Sequence, residues 1–375
     1  MKSENKPLYP STLTVDLSAI ADNYAAIEQT VGDDCEIGVC VKANAYGLGV
    51  EPIAAKLYWA GARLFYVATP QEGAQLRQLI DDKSIRIGIL NGLFIGTEEF
   101  YIEHNLTPVL NSLEEIRRWQ KLAREKGQSL ECMIQFDIGM NRLGLDHEDT
   151  FDFMNNVQTC TKDLKVTHVL GHFSRSDEHD DDGLSQEQEL RFLIIKERLE
   201  RENIGEIKFS LSNSGGIMRG YDYNSVRPGI TLYGGQIPLP GGNNIKHVVT
   251  LTTKLLQVRK ACPGDTVGYG ATRMFRNDKI LGTVSYGYAD GFLRSNSNVS
   301  SLYWKEHKLP IVGRVSMDLT TVDLSALPPE DMPKVGDEIE ILGIHQKIDD
   351  LAKTAGTISY EILTSLGKRC DRVYI

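Results

Sequence analysis

The chain has 375 residues, enough for one large barrel and a second domain, and its 41% hydrophobic and 25% charged residues are ordinary for a globular protein. The formal net charge of −10 argues against a nucleic-acid partner. Residues 1–16 lack the apolar core of a signal peptide, and no run reaches the roughly 18 apolar residues that span a membrane. The six cysteines form no C-x-x-C pair, which favours reduced thiols and a cytoplasmic location.

Helical and strand patterns alternate from residue 17 to about residue 230. The predicted strands are short and almost continuously apolar, which is typical of a parallel sheet covered on both faces. Eight of them occur, each after a helical or short linking segment, and they begin near residues 37, 63, 85, 107, 132, 165, 207 and 225. This α/β pattern fits a closed (β/α)8 barrel of the TIM type better than an open sheet.

The pattern changes at the turn-rich segment PLPGGNN, residues 238–244. Beyond it, strand-like segments alternate with Pro-Gly and Gly-Asp turns, and one helical stretch at 348–356 interrupts them. We therefore predict a barrel domain at residues 1–240 and a mostly β domain at residues 241–375, with the N-terminal strand available to pair with the β domain.

In barrels of this kind, chemistry gathers where the strands end. Read in chain order, the polar residues at those ends are Lys42, Asp137 with Arg142, His172, Asn213 with Ser214, and Arg227 before Gly229. A lysine that ends an apolar strand is easily desolvated, which favours the neutral amine that attacks an aldehyde. The segments SNSGG and RPGI offer hydroxyl and backbone N–H groups for a phosphate. A lysine that traps an aldehyde beside a phosphate-binding turn describes a pyridoxal 5′-phosphate site.

Two features that could suggest a metal site have simpler explanations. His168 and His172 lie four residues apart on a strand, with no third ligand candidate nearby. The acidic segment SDEHDDDG, residues 176–183, is typical of a solvated loop before a helix. We expect no metal ion.

A tyrosine in the second domain is a further candidate. Tyr269 stands between two glycines in VGYGATR, and the glycines would let the backbone bring the phenol close to a ligand. By itself, an aromatic residue in a β core is the more ordinary interpretation.

Taken together, the motifs resemble those of alanine racemases over nearly the whole chain: VCVKANAYGLG, FDIGMNRLG, GHFSRSDE, LSNSGG, SVRPGITLYGG, VGYGATR, SYGYADGFLR, GRVSMDL and ISYEI. The resemblance implies that pyridoxal phosphate is held covalently by Lys42 and that L- and D-alanine are interconverted to supply D-alanine for peptidoglycan. It implies a head-to-tail homodimer in which Tyr269 enters the partner's barrel. Lys42 would be the base for the D-isomer and Tyr269 the base for the L-isomer.

The same resemblance implies roles for further residues. His172 and Arg227 would make the phenol of Tyr269 a better base, and Arg227 would also face the pyridine nitrogen. Arg142 and Met317, the latter from the partner, would bind the substrate carboxylate. The cofactor would further contact Tyr46, Arg142, Asn213, Ser214, Gly229, Ile230 and Tyr360, and the substrate entrance would be lined by Asp177, Tyr288, Arg294 and Arg314.

One position departs from the family pattern. Gln135 stands where many members have a lysine modified to a carbamate, two residues before Asp137. A neutral amide cannot supply that negative charge to Arg142, although an anion such as chloride could. The breadth of the substrate range therefore stays open.

Three other functions share part of this pattern. A serine or broad-specificity amino-acid racemase would have the same architecture. A barrel-type amino-acid decarboxylase shares the lysine site and the β domain, but decarboxylation needs no second base such as Tyr269. A non-catalytic pyridoxal phosphate carrier is a single barrel, so the second domain argues against it.

Overall fold

The computed structural model describes residues 9–178, 183–221, 223–237 and 245–375. The first strand, β1 (Ser11–Val15), precedes eight strands that close into a parallel barrel. These are β2 (Glu36–Cys40), β3 (Leu64–Val67), β4 (Arg86–Ile89), β5 (Thr107–Leu110), β6 (Leu130–Gln135), β7 (Leu164–Leu170), β8 (Lys208–Ser210) and β9 (Ser225–Val226). The barrel closes where β9 pairs with β2, with Glu36 opposite Ser225. The predicted (β/α)8 barrel is confirmed.

The helices that surround the barrel are α1 (Leu17–Val31), α2 (Val50–Trp59), α3 (Pro70–Leu79), α4 (Glu98–Glu103), α5 (Leu113–Lys126), α6 (His147–Asn155), α7 (Val157–Cys160), α8 (Leu184–Glu202) and α9 (Ser214–Met218). Side-chain caps begin several of them, because the first backbone N–H groups of a helix need acceptors. The capping residues include Asp16, Thr69, Ser112 and Asp146. Helix α4 lies in a segment for which we predicted no helix, since six residues are too few to display a helical period.

The barrel interior is packed around Tyr66, which is fully buried on β3. Gly38 and Gly88 on the neighbouring strands make room for its ring, because a Cβ there would lie 2.4 Å and 2.6 Å from ring carbons of Tyr66. Small residues on β2 and β4 thus accommodate one large residue on β3, which fills the barrel without a central channel.

The rest of the chain forms a mostly β domain. Its strands are β10 (Val249–Ala261), β11 (Thr266–Val267), β12 (Arg273–Met274), β13 (Lys279–Val284), β14 (Ser301–Trp304), β15 (His307–Pro310), β16 (Thr320–Asp323), β17 (Glu338–Leu342) and β18 (Asp371–Tyr374). Strand β1 joins this sheet, antiparallel to β10 and parallel to β18. The first and last strands of the described chain therefore lie side by side. The predicted linker, residues 238–244, lies outside the described residues.

Two details of the β domain differ from the sequence-based expectation. We predicted one helix, but the structure has two, α10 (Ile348–Ala355) and α11 (Ser359–Ser365). Helix α11 is too short for its period to be recognised, and it carries Tyr360. Residues 311–319, expected within a strand, form an irregular segment between β15 and β16 that carries Met317. No helix in the described part of the chain is both long and apolar enough to cross a membrane.

A cluster of charged residues joins the N-terminal ends of the barrel strands. The Glu36 carboxylate lies 2.8 Å from His168 Nε2, 3.5 Å from Lys208 Nζ and 3.8 Å from Arg86. Burial alone would raise the pKa of Glu36, but the hydrogen bond to His168 and the neighbouring positive charges outweigh it and lower the pKa to about 2. The cluster lies at the end of the barrel opposite the strand ends that carry Lys42 and Arg227, so it is expected to stabilise the fold.

We predict that Glu36→Gln lowers the free energy of unfolding by roughly 2 kcal/mol at pH 7, because three cationic or donor groups lose their carboxylate. The folded-state pKa lies below the ordinary value of 4.5, so the stabilisation is complete above that pH and is lost as the pH falls toward 2. Urea unfolding of wild type and Glu36→Gln between pH 3 and pH 7 measures the difference in their free energies of unfolding. Glu28→Gln, on an exposed face of α1, is the control. An equal difference between wild type and Glu36→Gln at every pH would contradict the explanation.

Candidate active site

A cavity of about 520 Å³ opens at the C-terminal ends of the barrel strands. It is formed by segments from seven places in the chain, six of them in the barrel and one, around Tyr360, in the β domain. Ten of the predicted site residues line it: Lys42, Tyr46, Arg142, His172, Asp177, Asn213, Ser214, Arg227, Gly229 and Tyr360. Part of the acidic segment after Asp177, residues 179–182, lies outside the described residues.

Lys42 is the second residue after β2, and the chain turns sharply beyond it. The turn formed by residues 42–46, here called the Lys42 turn, has left-handed backbone angles at four successive non-glycine residues. The φ values are 54° at Ala43, 57° at Asn44, 51° at Ala45 and 54° at Tyr46. Each such residue costs roughly 1–2 kcal/mol, so the surrounding structure must hold the turn in place. The result is a half-buried Lys42 directed at the barrel mouth, with the buried Tyr46 four residues later at the end of the same turn.

The hydroxyl and backbone groups at one end of the cavity fit a phosphate. Ser214 Oγ accepts hydrogen bonds from the backbone N–H groups of Gly229 at 3.0 Å and Thr231 at 3.4 Å. The Tyr46 hydroxyl lies directly over Gly229, since a Cβ on that glycine would be 2.3 Å from it. Burial raises the pKa of Tyr46 well above 10, so its hydroxyl is a proton donor. Ile230, between Gly229 and Thr231 in the chain, is buried.

An aromatic cluster holds Tyr46 in position. Its ring centroid lies 4.7 Å from that of Tyr233 and 5.9 Å from that of Tyr360. Tyr233 donates a hydrogen bond of 2.7 Å to the carbonyl of Cys40, at the end of β2. The two outer rings limit the movement of Tyr46, so the hydroxyl is pre-positioned for an anionic ligand.

Arg227 is buried, with 4% of its surface exposed, although its guanidinium cannot lose its charge. It donates to the carbonyl and the hydroxyl of Ser210 at 2.6 Å each and to the carbonyl of Gly171 at 2.5 Å. It also lies 3.4 Å from His172 Nδ1. Because arginine has no acceptor atom, Nδ1 of His172 must present its lone pair, and the proton of the neutral ring is on Nε2. Burial, and after it the charge of Arg227, lowers the pKa of His172 well below 6.5. The ring is therefore neutral near pH 7.

Arg142 reaches the cavity from the loop after β6. Asp137, a strand-end candidate in the sequence, does not line the cavity. Its Oδ1 instead accepts the backbone N–H groups of residues 139, 140 and 141, and so shapes the loop that carries Arg142. Gln135 lines the cavity and donates from Nε2 to the Leu143 carbonyl at 2.9 Å. It brings no charge to the site.

Five predicted residues lie elsewhere, on the β domain: Tyr269, Tyr288, Arg294, Arg314 and Met317. None of them lines the cavity of its own chain. Tyr269 is 71% exposed and Met317 is 53% exposed. The glycines beside Tyr269 have φ values of 73° and 74°, which favour glycine, and a Cβ on Gly270 would be 2.7 Å from Arg314. Tyr269 and Arg314 thus belong to one exposed surface.

Several residues without a predicted site role also lie at the cavity or its wall. Cys40 lines the cavity while remaining buried. Thr231 and Tyr233 lie in the motif SVRPGITLYGG, two and four residues after Gly229. The motif that pointed to Gly229 could therefore also have identified them. In the described residues, no group of three or more His, Cys, Asp or Glu is arranged to hold a metal ion.

Comparisons with known proteins agree with this geometry. The family model described as alanine racemase, N-terminal domain, matches residues 15–237, and the one described as alanine racemase, C-terminal domain, matches residues 248–374. The alanine racemase of Rickettsia bellii is 41% identical over 90% of this chain and 81% of its own length. A catabolic alanine racemase of Agrobacterium fabrum is 40% identical over 97% of this chain and 92% of its own length.

Solved structures give the same result. The alanine racemase of Bartonella henselae, with covalently bound pyridoxal phosphate, superposes with a TM-score of 0.89 at 37% identity and covers 98% of this chain and 99% of its own. The biosynthetic alanine racemase of Pseudomonas aeruginosa superposes with a TM-score of 0.87 at 31% identity and covers 98% and 100%.

We predict that Gly229→Ala weakens the binding of pyridoxal phosphate roughly tenfold, because the new methyl group displaces the Tyr46 hydroxyl and removes one donor from a charged ligand. The φ of Gly229 is −132°, which is outside the left-handed range that favours glycine. Absorbance titration of the apoprotein measures the dissociation constant. In a Tyr46→Phe background, Gly229→Ala should change the dissociation constant little, because the hydroxyl that it displaces is already absent. Unchanged affinity in Gly229→Ala alone would contradict the assignment of these groups as the phosphate site.

Proposed function

The chain belongs to the alanine racemase family, and from this we propose that it interconverts L- and D-alanine using pyridoxal 5′-phosphate held by Lys42. The observation that carries the proposal is the juxtaposition, in one cavity, of a strand-end lysine and a set of hydroxyl and N–H donors that fits a phosphate. The bound cofactor would withdraw electrons from the α-carbon of an attached amino acid, which makes its α-proton acidic.

The chain would supply the bases on the two faces of the α-carbon. Lys42 would move the proton on the face that belongs to the D-isomer, and Tyr269 of a second copy would move it on the face that belongs to the L-isomer. A proton removed on one side and returned on the other inverts the configuration. Each base must lie within hydrogen-bond reach of the carbon it serves.

His172 and Arg227 would assist the tyrosine. The charge of Arg227 and its contact with Nδ1 leave the Nε2–H of His172 as a donor toward the cavity. A phenolate that receives this hydrogen bond is stabilised, so the tyrosine becomes a better base. Arg227 would also face the ring nitrogen of the cofactor, where a permanent positive charge disfavours protonation of that nitrogen.

The remaining roles are those that the resemblance to the family implies. The cofactor would be contacted by Tyr46, Asn213, Ser214, Gly229, Ile230 and Tyr360. Arg142 and the backbone N–H of Met317 from a second copy would bind the substrate carboxylate. Asp177, Tyr288, Arg294 and Arg314 would line the substrate entrance, where a narrow passage favours a small amino acid.

A homodimer with shared sites is part of the proposal. The exposure of Tyr269 and Met317, and their absence from the cavity of their own chain, support a β domain that completes the barrel of a second copy. Residues 1–240 would act as the cofactor-binding domain and residues 241–375 as the contribution to the partner's site. Closed symmetry of this kind places two equivalent sites in each dimer.

We further propose a cytoplasmic enzyme that supplies D-alanine for peptidoglycan. The buried thiols of Cys40 and Cys132 in the barrel support a reducing compartment. The neutral Gln135 makes the substrate range a separate question, so a test must include a larger amino acid.

The first test is racemisation in deuterated water. With pyridoxal phosphate and L-alanine, the protein should form D-alanine that carries deuterium at the α-carbon, because the returning proton comes from a base in exchange with solvent. Chiral chromatography and mass spectrometry follow both quantities, and L-serine is run in parallel as the control for substrate range. Cofactor binding without inversion of either amino acid would overturn the proposed reaction.

The shared site predicts complementation between inactive variants. Lys42→Ala should lose the covalently held cofactor, and Tyr269→Phe should lose roughly 10²- to 10⁴-fold in rate with L-alanine. Co-expressed, the two should regain about a quarter of wild-type activity, since half the dimers are mixed and each mixed dimer has one intact site. Chiral assays of the co-expressed mixture measure this, and the tagged mixed dimer isolated from it should have about half of wild-type activity, because one of its two sites is intact. Failure to regain activity in isolated mixed dimers would contradict a site built from two copies.

A further inference from the structure

The Lys42 turn needs contacts from outside itself. Its four left-handed residues include no glycine, and alanine and tyrosine have no side-chain group that favours this conformation. Two independent sets of contacts surround the turn, one from α3 and one from the last strand of the chain.

The first set comes from one carboxylate. Glu72 Oε1 accepts the backbone N–H of Ala43 at 2.6 Å. Its Oε2 accepts the N–H groups of Ala68 at 2.8 Å and Thr69 at 3.2 Å, at the junction of β3 and α3. Thr69 Oγ1 accepts the N–H of Glu72 in return, which completes a capping box. Glu72 therefore joins the residue after Lys42 to the rigid end of the neighbouring strand.

The second set comes from β18, near the C-terminus. Arg372 donates to the carbonyl of Gly47 at 2.7 Å, and the Tyr374 hydroxyl donates to the carbonyl of Leu48 at 2.9 Å. The approach is close, since a Cβ on Gly49 would lie 2.1 Å from the Tyr374 hydroxyl. Strand β18 is itself held against β1, so the far side of the turn rests on the β-domain sheet.

We propose that Glu72 is a positioning residue for Lys42 and that Arg372 and Tyr374 hold the segment directly after the Lys42 turn, at Gly47 and Leu48. The inference rests on the proposed role of Lys42 as the residue that holds the cofactor. The Ala43 N–H belongs to the peptide that follows Lys42, so a shift of that peptide reorients the lysine side chain. A displacement of the order of 1 Å at a catalytic group can cost roughly 100-fold in rate.

A carboxylate is required at position 72 because three N–H groups point at it from two directions. Glutamine has one acceptor oxygen, and its NH2 group would face either Ala43 N–H or the pair at Ala68 and Thr69. Two N–H groups would then face each other without an acceptor between them, and the backbone segment that loses its acceptor would move.

The test compares Glu72→Gln with Glu115→Gln. Glu115 has the matching position on α5, where it accepts the N–H groups of Asn111 and Leu93 but does not contact the Lys42 turn. Both variants lose a carboxylate from the first turn of a barrel helix. Borohydride reduction and peptide mapping first locate the cofactor in the wild-type protein. Visible circular dichroism per bound cofactor then reports the orientation of the group held by the lysine, and steady-state assays give kcat and KM.

We expect Glu72→Gln to weaken the circular dichroism of the cofactor band and to lower kcat roughly 10- to 100-fold with little change in KM. Glu115→Gln should keep the wild-type band and show only a lower Tm. Tyr374→Phe, which removes a single hydroxyl, should weaken the band to a smaller extent and remains informative if Glu72→Gln does not fold.

Wild-type circular dichroism and kcat in both Glu72→Gln and Tyr374→Phe would overturn the positioning role while leaving the proposed reaction intact. Equal losses in Glu72→Gln and Glu115→Gln would also overturn it, because the effect would then be that of helix capping. Reduction that labels a lysine other than Lys42 in the wild-type protein would overturn the proposed cofactor attachment, and the positioning role with it.

Discussion

The site depends on a charge that is buried and cannot be neutralised. Arg227 is 4% exposed, and its guanidinium must find acceptors wherever it lies. The acceptors it finds are oxygens at the ends of β7 and β8, from Gly171, Ser210 and Leu211. One residue thereby holds together the floor of the cavity, and by occupying Nδ1 it decides which nitrogen of His172 can donate to a ligand. The interaction links fold and chemistry, since the contacts that satisfy the charge also define the acid–base state of the neighbouring ring.

The two ends of the barrel divide stability and chemistry in the way expected of this architecture. Glu36 and its cationic neighbours lie at the N-terminal ends of the strands, where Glu36 is tied to His168 and Lys208. The opposite end has the strained Lys42 turn, the buried Arg227 and a row of hydroxyl groups, all of which cost free energy to maintain. The packing of the barrel around residues such as Tyr66 offsets this unfavourable free energy and keeps the strand ends in position.

The β domain contributes to the site in two directions. Toward its own barrel, Arg372 and Tyr374 contact the loop that follows the Lys42 turn. Away from it, Tyr269 and Met317 are exposed on a surface that takes no part in the cavity of the same chain. The proposed homodimer would explain the second observation, because Tyr269 and Met317 would then face the barrel of a second copy.

The sequence by itself determined the eight strands, the class of the barrel and the residues at the strand ends, because apolar runs, helical periods and strand-end polar residues are local features that need no tertiary information. Its motifs also predicted Lys42, Tyr269 and the phosphate-binding turns as parts of the site. Only the tertiary structure decided the left-handed conformation of residues 43–46, since no propensity favours it and distant contacts hold it in place. The same is true of Glu72, which is 30 residues from Lys42, and of Tyr374, 326 residues from the carbonyl it binds. Their importance arises from closure of the barrel and from the pairing of the last strand with the first, which bring together residues whose separation in the chain conceals their contact.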